Sequence, residues 1–136
     1  MAKLVAKDNK ITVNGVDFSP NLAAVTFDIS ADEVETTAFG SHFRQRISGL
    51  KDASVSLDWH QDFGATAVDA TLFPLLGAEA TVVVTPTSGT VSATNPAYSA
   101  VFLVTEYQSF ASSVGDLMTF STSWPLAAGT VTRLTA

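Results

Sequence analysis

Asp52-Ala53-Ser54-Val55-Ser56-Leu57-Asp58-Trp59 alternates without a break: Ala53, Val55, Leu57 and Trp59 fall on one face, and Asp52, Ser54, Ser56 and Asp58 on the other. Apolar residues at period two mark a strand with one face in a core and the other in water. Upstream, Val25, Phe27 and Ile29 alternate with Thr26, Asp28 and Ser30 in the same way. Val34-Glu35-Thr36-Thr37-Ala38 continues that ribbon after a bend near Ala31-Asp32. Ile11 and Val13 run into Asn14-Gly15, a dipeptide that tolerates the positive φ of a tight hairpin turn. Downstream, Thr81 to Thr85 is a continuous β-branched run, the pattern of a well-buried strand. Tyr98 to Tyr107 is apolar on both faces, which suits a central strand or an interface. Leu117 to Trp124 alternates again, with Met118, Phe120 and Trp124 on one side, and Val131 to Leu134 reads as a short final strand. Thr85-Pro86-Thr87-Ser88-Gly89 and Asn95-Pro96 are loops.

One segment follows a different period. Ala67-Val68, Thr71-Leu72 and Leu75-Leu76 recur at spacing three to four, which is the apolar stripe of a helix. Gly77 stands where a left-handed C-terminal cap is wanted, and Pro74 predicts a distorted last turn. The expected fold is mainly β: a sandwich or barrel of roughly six to eight strands with one flanking α-helix, in a single domain over residues 1–136.

Charged residues are only 15% of the 136-residue chain, against about 25% in an average soluble domain. Fourteen serines and 17 threonines fill the gap. Such a surface suits either a β protein buried against partners or a Ser/Thr-coated monomer. The net charge of −6 disfavours ordinary binding to phosphate backbones. With no cysteine, disulfides and thiolate zinc sites are excluded, and a reducing compartment is suitable. The N-terminus lacks the apolar run of a signal peptide, and no stretch approaches the roughly 18 apolar residues of a membrane span. A soluble protein made in the cytoplasm is expected.

The segment 39–49, Phe39-Gly40-Ser41-His42-Phe43-Arg44-Gln45-Arg46-Ile47-Ser48-Gly49, joins two good strands and is long for a hairpin loop. It holds two of the three arginines beside two aromatics. Phe39 and Phe43 argue against simple disorder, because exposed aromatics call for a cover. The segment is either an arm that docks on a neighbouring subunit, through Phe39, His42, Phe43, Arg44 and Arg46, or a loop folded over its own sheet edge.

Catalytic patterns are missing. Asp58, His60 and Asp62 would share one face of an extended strand, so a metal site is conceivable, yet nothing nearby completes the shell. They also read as the polar face of the strand. His42 is a lone loop histidine in a basic cluster and a poor candidate for a general base. There is no G-x-S-x-G elbow, P-loop or G-x-G-x-x-G. The chain is expected to be no enzyme and to need no cofactor.

The order of features does resemble a known family. Val13-Asn14-Gly15-Val16 opens a short hairpin and is followed by a long strand pair with an Arg-bearing loop. Gly49-Leu50-Lys51-Asp52-Ala53-Ser54-Val55 comes next, then Leu72-Phe73-Pro74-Leu75-Leu76-Gly77. Val104-Thr105-Glu106-Tyr107-Gln108-Ser109-Phe110 and Val114-Gly115-Asp116-Leu117-Met118-Thr119-Phe120-Ser121 precede a closing Trp124-Pro125, Gly129 and Val131-Thr132-Arg133. This order resembles the major tail tube proteins of siphophages, especially those of actinobacterial hosts, over nearly the whole chain. The individual motifs are short, and their order and spacing carry the likeness.

The resemblance implies a β-sandwich with a flanking helix, related to other phage tubes and to the type VI secretion tube. It implies hexameric rings whose inner sheets join around a DNA-wide lumen and which stack through the long loop and the chain termini. The partners implied are further copies of the chain, the tape measure protein, and the tail tip and tail terminator proteins. DNA would be a partner only in transit, and a membrane none. The location implied is the virion tail, after assembly in the host cytoplasm. Asp28, Asp52 and Asp58, on the polar faces of the long ribbon, are the candidate lumen residues. Arg44 and Arg46 are expected to meet acids of an adjacent subunit, where charge-assisted bonds set register. Competing readings are a capsid decoration or tail-completion protein, and a carbohydrate-binding sandwich using Trp59, Trp124, Tyr98 or Tyr107 as platforms.

Overall fold

The alternation around Ala53–Trp59 is realised in a strand of 15 residues that pairs on both sides. The computed structural model describes residues 4–136. The first three residues, part of a terminal segment expected to serve assembly, lie outside the described residues. In chain order the elements are β1 (Lys10–Val13), β2 (Val16–Asp17), β3 (Leu22–Glu35), β4 (Arg46–His60), α1 (Val68–Leu75), β5 (Glu79–Thr85), β6 (Ala97–Leu103) and β7 (Thr119–Leu134). A single 3₁₀ turn, Ser19–Asn21, leads into β3. All pairings are antiparallel, in the order β2-β1-β5-β6-β7-β4-β3.

The sheet is folded at β7. Thr119–Pro125 pairs with β4, whereas Leu126–Leu134 pairs with β6. One layer is therefore β3-β4-β7 and the other β2-β1-β5-β6-β7, and their apolar faces meet. Phe27 of the first layer lies edge-on to Phe102 of the second, ring centroids 5.5 Å apart. Trp59 stacks on Phe120 at 5.8 Å and meets Phe18 edge-on at 5.4 Å. Val13, Val55, Leu57, Val68, Leu72, Val82, Val104 and Trp124 are fully buried beside them. Burial leaves the indole N–H groups needing acceptors. Trp59 Nε1 donates to Thr122 Oγ1 at 2.9 Å and Trp124 Nε1 to the Glu106 carbonyl at 3.2 Å.

The mainly-β sandwich with one helix is as the periodicity predicts, and several details differ. The expected strands Leu117–Trp124 and Val131–Leu134 are halves of one 16-residue β7. Pro125 and Gly129 read as breaks, but the Pro125 nitrogen lies on the side away from β4, where that ladder needs no donor. Gly129 has φ +75, within register shifts against β6 that let one strand turn from one layer to the other. Strand β6 stops at Leu103 rather than reaching Tyr107. The helix forms with Val68 and Leu72 in the core and Pro74 in its last turn. There Leu76 N–H bonds Phe73 O at 3.3 Å in a tightened turn, and Gly77 takes φ +84.

The predicted loop 39–49 is also shorter than expected. Glu33, Val34 and Glu35 pair with Ser48, Ile47 and Arg46, and Thr36 N–H bonds Gln45 O at 2.8 Å. These positions have no buried face, so period two leaves no apolar trace there. The ladder carries an irregularity between Ala31 and Glu33, at the anticipated bend.

Leu57 is fully buried between the layers. Leu57→Ala is expected to lower unfolding free energy by about 2–5 kcal/mol, measured by urea denaturation followed through tryptophan fluorescence.

Candidate assembly interface

Register decides which side chains share the outer face of the β3-β4-β7 layer. Val25, Phe27 and Ile29 oppose Leu57, Val55 and Ala53 on the core side. Ala24, Thr26, Asp28 and Ser30 therefore look outward with their partners Asp58, Ser56, Ser54 and Asp52. Ser121, Ser123 and Pro125 extend the same face beside Asp58, Ser56 and Ser54. The three sequence-predicted carboxylates thus lie on one polar wall, which holds no lysine or arginine over these positions. Ser121 Oγ donates to Asp58 Oδ1 at 2.8 Å, and Ser56 and Ser123 hydroxyls meet at 3.3 Å. Lys51 opposes Ala31 on the other side of the ribbon and lines a cavity with Tyr98, Leu126 and Arg133, which Asp52 also borders.

The β3–β4 hairpin projects beyond the sandwich as an arm. Its turn closes through Ser41 N–H to Ala38 O at 3.2 Å, with Gly40 at φ +91, a conformation that suits glycine. Phe39 and Phe43 are 111% and 85% exposed, so the subunit's own sheet does not cover them. Arg44 reaches Glu35 at 3.8 Å and Arg46 reaches Glu33 at 3.5 Å, in exposed pairs. Arg46 belongs to β4 and not to a loop, a correction to its expected setting. Exposed pairs of this kind contribute about 0–1 kcal/mol and are easily exchanged. His42 is exposed in the turn.

At the opposite end, beyond His60, lies an apolar group that sequence reading did not single out. Phe63 and Phe110 pack at 5.4 Å yet remain exposed, and Phe73, Val114 and Leu117 are exposed too. The available signal was large apolar residues, Phe63, Phe110 and Val114, in segments with no helix or strand period. Asp58, His60 and Asp62 do not converge here. Asp58 accepts from Ser121, His60 opposes Thr119, and Asp62 Oδ1 accepts the Gly64 N–H at 2.9 Å. Among the described residues no group of three His, Asp or Glu side chains is placed to hold a metal ion.

A polar network ties this end together. Tyr107 donates to Asp69 Oδ1 at 2.5 Å, and Gln61 Nε2 donates to Tyr107 Oη at 3.0 Å and to Ser109 O at 2.9 Å. Burial, and then the bond to Asp69, push the Tyr107 hydroxyl up from 10.0 to about 12. Near the arm-distal end of β3, Asp17 is held below the usual carboxylate range by hydrogen bonds from the Ser19 hydroxyl and N–H, with help from Lys10.

The layer with the polar wall has two open edges. Strand β3 is terminal in the sheet, and its outer side has no strand partner among the described residues over 14 positions. On the other side, among the described residues, Thr119–Pro125 has a strand partner only in β4.

No protein-family model and no curated protein matches the chain. The fold itself is shared with solved structures. A chain in the virion of a native gene transfer agent (GTA) particle superposes with TM-score 0.71 at 19% identity, over 96% of this chain and 98% of that one. A chain in the tail of an empty GTA particle, from a helical refinement with C6 symmetry, gives 0.66 at 21% identity, over 85% and 83%. At these identities the likeness is one of fold.

Because the Tyr107 hydroxyl is raised in the folded state, its contribution is present below pH 10.0 and lost as pH rises through about 12. Tyr107→Phe is expected to cost about 1 kcal/mol at neutral pH and to remove that alkaline component. Denaturation midpoints from pH 7 to 12 check both.

Proposed function

We propose that this chain is a structural subunit of a phage-like virion tail, forming rings that stack into a tube around a DNA-conducting lumen. The observation that carries the reading is the β3-β4-β7 layer: one wall of Ser, Thr and Asp without lysine or arginine, bounded by two open strand edges. Edges invite pairing with another chain, and rotation of identical subunits about an axis joins one edge to the other and closes a barrel. A barrel lined by this wall repels a nucleic acid in passage instead of holding it. The fold shared with chains of a GTA virion and tail supports this reading, and the C6 symmetry of that tail supports six subunits per ring.

Stacking uses the two ends. The arm offers Phe39 and Phe43 at one end, and Phe63, Phe110, Val114 and Leu117 stand exposed at the other. Unlike surfaces at opposite ends make a head-to-tail contact that does not close, and so a filament. Phe39 and Phe43 are buried on a neighbouring subunit, with Arg44 and Arg46 moving from Glu35 and Glu33 to acids of that neighbour. A tape measure protein filling the lumen, and tail tip and terminator proteins at the tube ends, are the further partners this role entails. It is a role without catalysis.

Electron microscopy of the purified protein over a range of concentrations, with a tail-tip complex added as initiator, is expected to give hollow tubes. A cryo-EM reconstruction should place Asp28, Asp52 and Asp58 on the inner wall. A closed oligomer that never elongates, or those carboxylates on the outer wall, would count against the reading. Replacing Arg44 and Arg46 together by Ala is expected to stop tube growth while leaving the thermal melt within about 1 kcal/mol of wild type. Normal tubes from that variant would remove the arginines from the stacking contact.

A further inference from the structure

The two open edges of the β3-β4-β7 layer are not equivalent. Strand β3 is bare, whereas the β7 edge carries a cap from its own chain. Strand β6 accompanies β7 only from Leu126 onward, and the partnership ends at Pro125, which has no N–H to donate. Past that point the chain continues as Val104, Thr105 and Glu106 and parts from β7. Glu106 reaches back across the gap. Its carboxylate Oε1 accepts the Ser123 N–H at 2.6 Å, and its carbonyl accepts the Trp124 indole N–H at 3.2 Å. Trp124 is fully buried, so the main chain of Glu106 is anchored to the core. Its side chain is exposed and reaches Ser123 through two rotatable methylenes.

The Ser123 N–H is the donor that an added strand would use. A neighbour's carbonyl and the Glu106 carboxylate cannot both take it. We propose that Glu106 is a latch on the strand-acceptor edge of β7, one that must swing away before the bare β3 edge of a second copy can pair there. The inference rests on the ring reading above and adds its control. The latch keeps free subunits apart, since an uncapped edge in a concentrated pool pairs without regard to register. The bond is charge-assisted, hence stronger than a neutral one, and sits in the open where an incoming strand can displace it. The cap bears on the pairing of β3 with β7 that a ring needs, and leaves the β3 edge itself open.

Each addition to a growing tube then includes release of one latch, which raises the concentration at which tubes begin to grow. The test compares that critical concentration for wild type, Glu106→Gln and Glu106→Ala, by sedimentation of assembled tubes with the same tail-tip initiator. Glu106→Ala is expected to lower it on the order of tenfold, the worth of one hydrogen bond to a charged group. Glu106→Gln, whose amide oxygen still accepts but without charge, should lower it by a smaller factor. Near-UV circular dichroism of the buried tryptophans checks folding, and the Ser123 amide should exchange faster in the Ala monomer. If Ala does not fold, the Gln variant carries the comparison. A folded variant with unchanged or higher critical concentration overturns the latch and leaves the tube reading standing. Failure of all three proteins to elongate overturns both.

Discussion

Strand β7 is the constraint on which both layers depend. Its first half completes the β3-β4 layer and its second half completes the β1-β5-β6 layer, so it alone joins the two in one sheet order. A strand that serves two sheets must bend, and the bend needs local freedom from the ladder. Gly129, at φ +75, and the register shifts against β6 supply it. The aromatic core follows from the same strand. Phe120 and Trp124 bring their rings to Trp59.

Because β7 leaves one layer for the other, the layer it leaves ends in an open edge. Pro125 marks the place: where β6 would have continued, no donor is available. The three-stranded layer is thus edged by β3 on one side and by Thr119–Pro125 on the other. Openness there and closure elsewhere combine a buried aromatic core with a layer that ends in two unpaired strand edges among the described residues. The same geometry directs the acidic wall. With the core faces fixed, Asp28, Asp52 and Asp58 have only the outer surface available, and their neighbours are hydroxyls. On that surface Asp58 accepts from Ser121 Oγ and Asp52 from the Ala53 N–H.

The ends of the molecule show the other half of this division of labour. Exposed ion pairs on the arm and exposed aromatics at both ends contribute little within one subunit. The large apolar surface of Phe39, Phe43, Phe63 and Phe110 stays accessible. The polar network of Gln61, Tyr107 and Asp69 does the opposite work, holding the end of β4, the helix and the segment after β6 as one piece.

Much of this was legible in the order of residues. Period two at Ala53–Trp59 and Val25–Ile29, Asn14-Gly15 at a turn, and the apolar stripe at Val68 and Leu72 each depend on interactions within a few residues. The polar face holding Asp28, Asp52 and Asp58 follows from the same alternation. What escaped lies where local signals conflict with, or are silent about, distant partners. Pro125 and Gly129 look like breaks, and only the positions of β4 and β6 make them part of one strand. Glu33–Glu35 and Arg46–Ser48 bury nothing, so their pairing leaves no hydrophobic trace and needed the register of the whole hairpin. The closeness of Glu106 to Ser123, 17 residues apart, exists only because β6 and β7 separate at a proline. The sequence by itself determined which faces are apolar, because burial is a property each side chain carries with it. Which edges stay open was decided by tertiary structure, because an edge is defined by the strand that is not there.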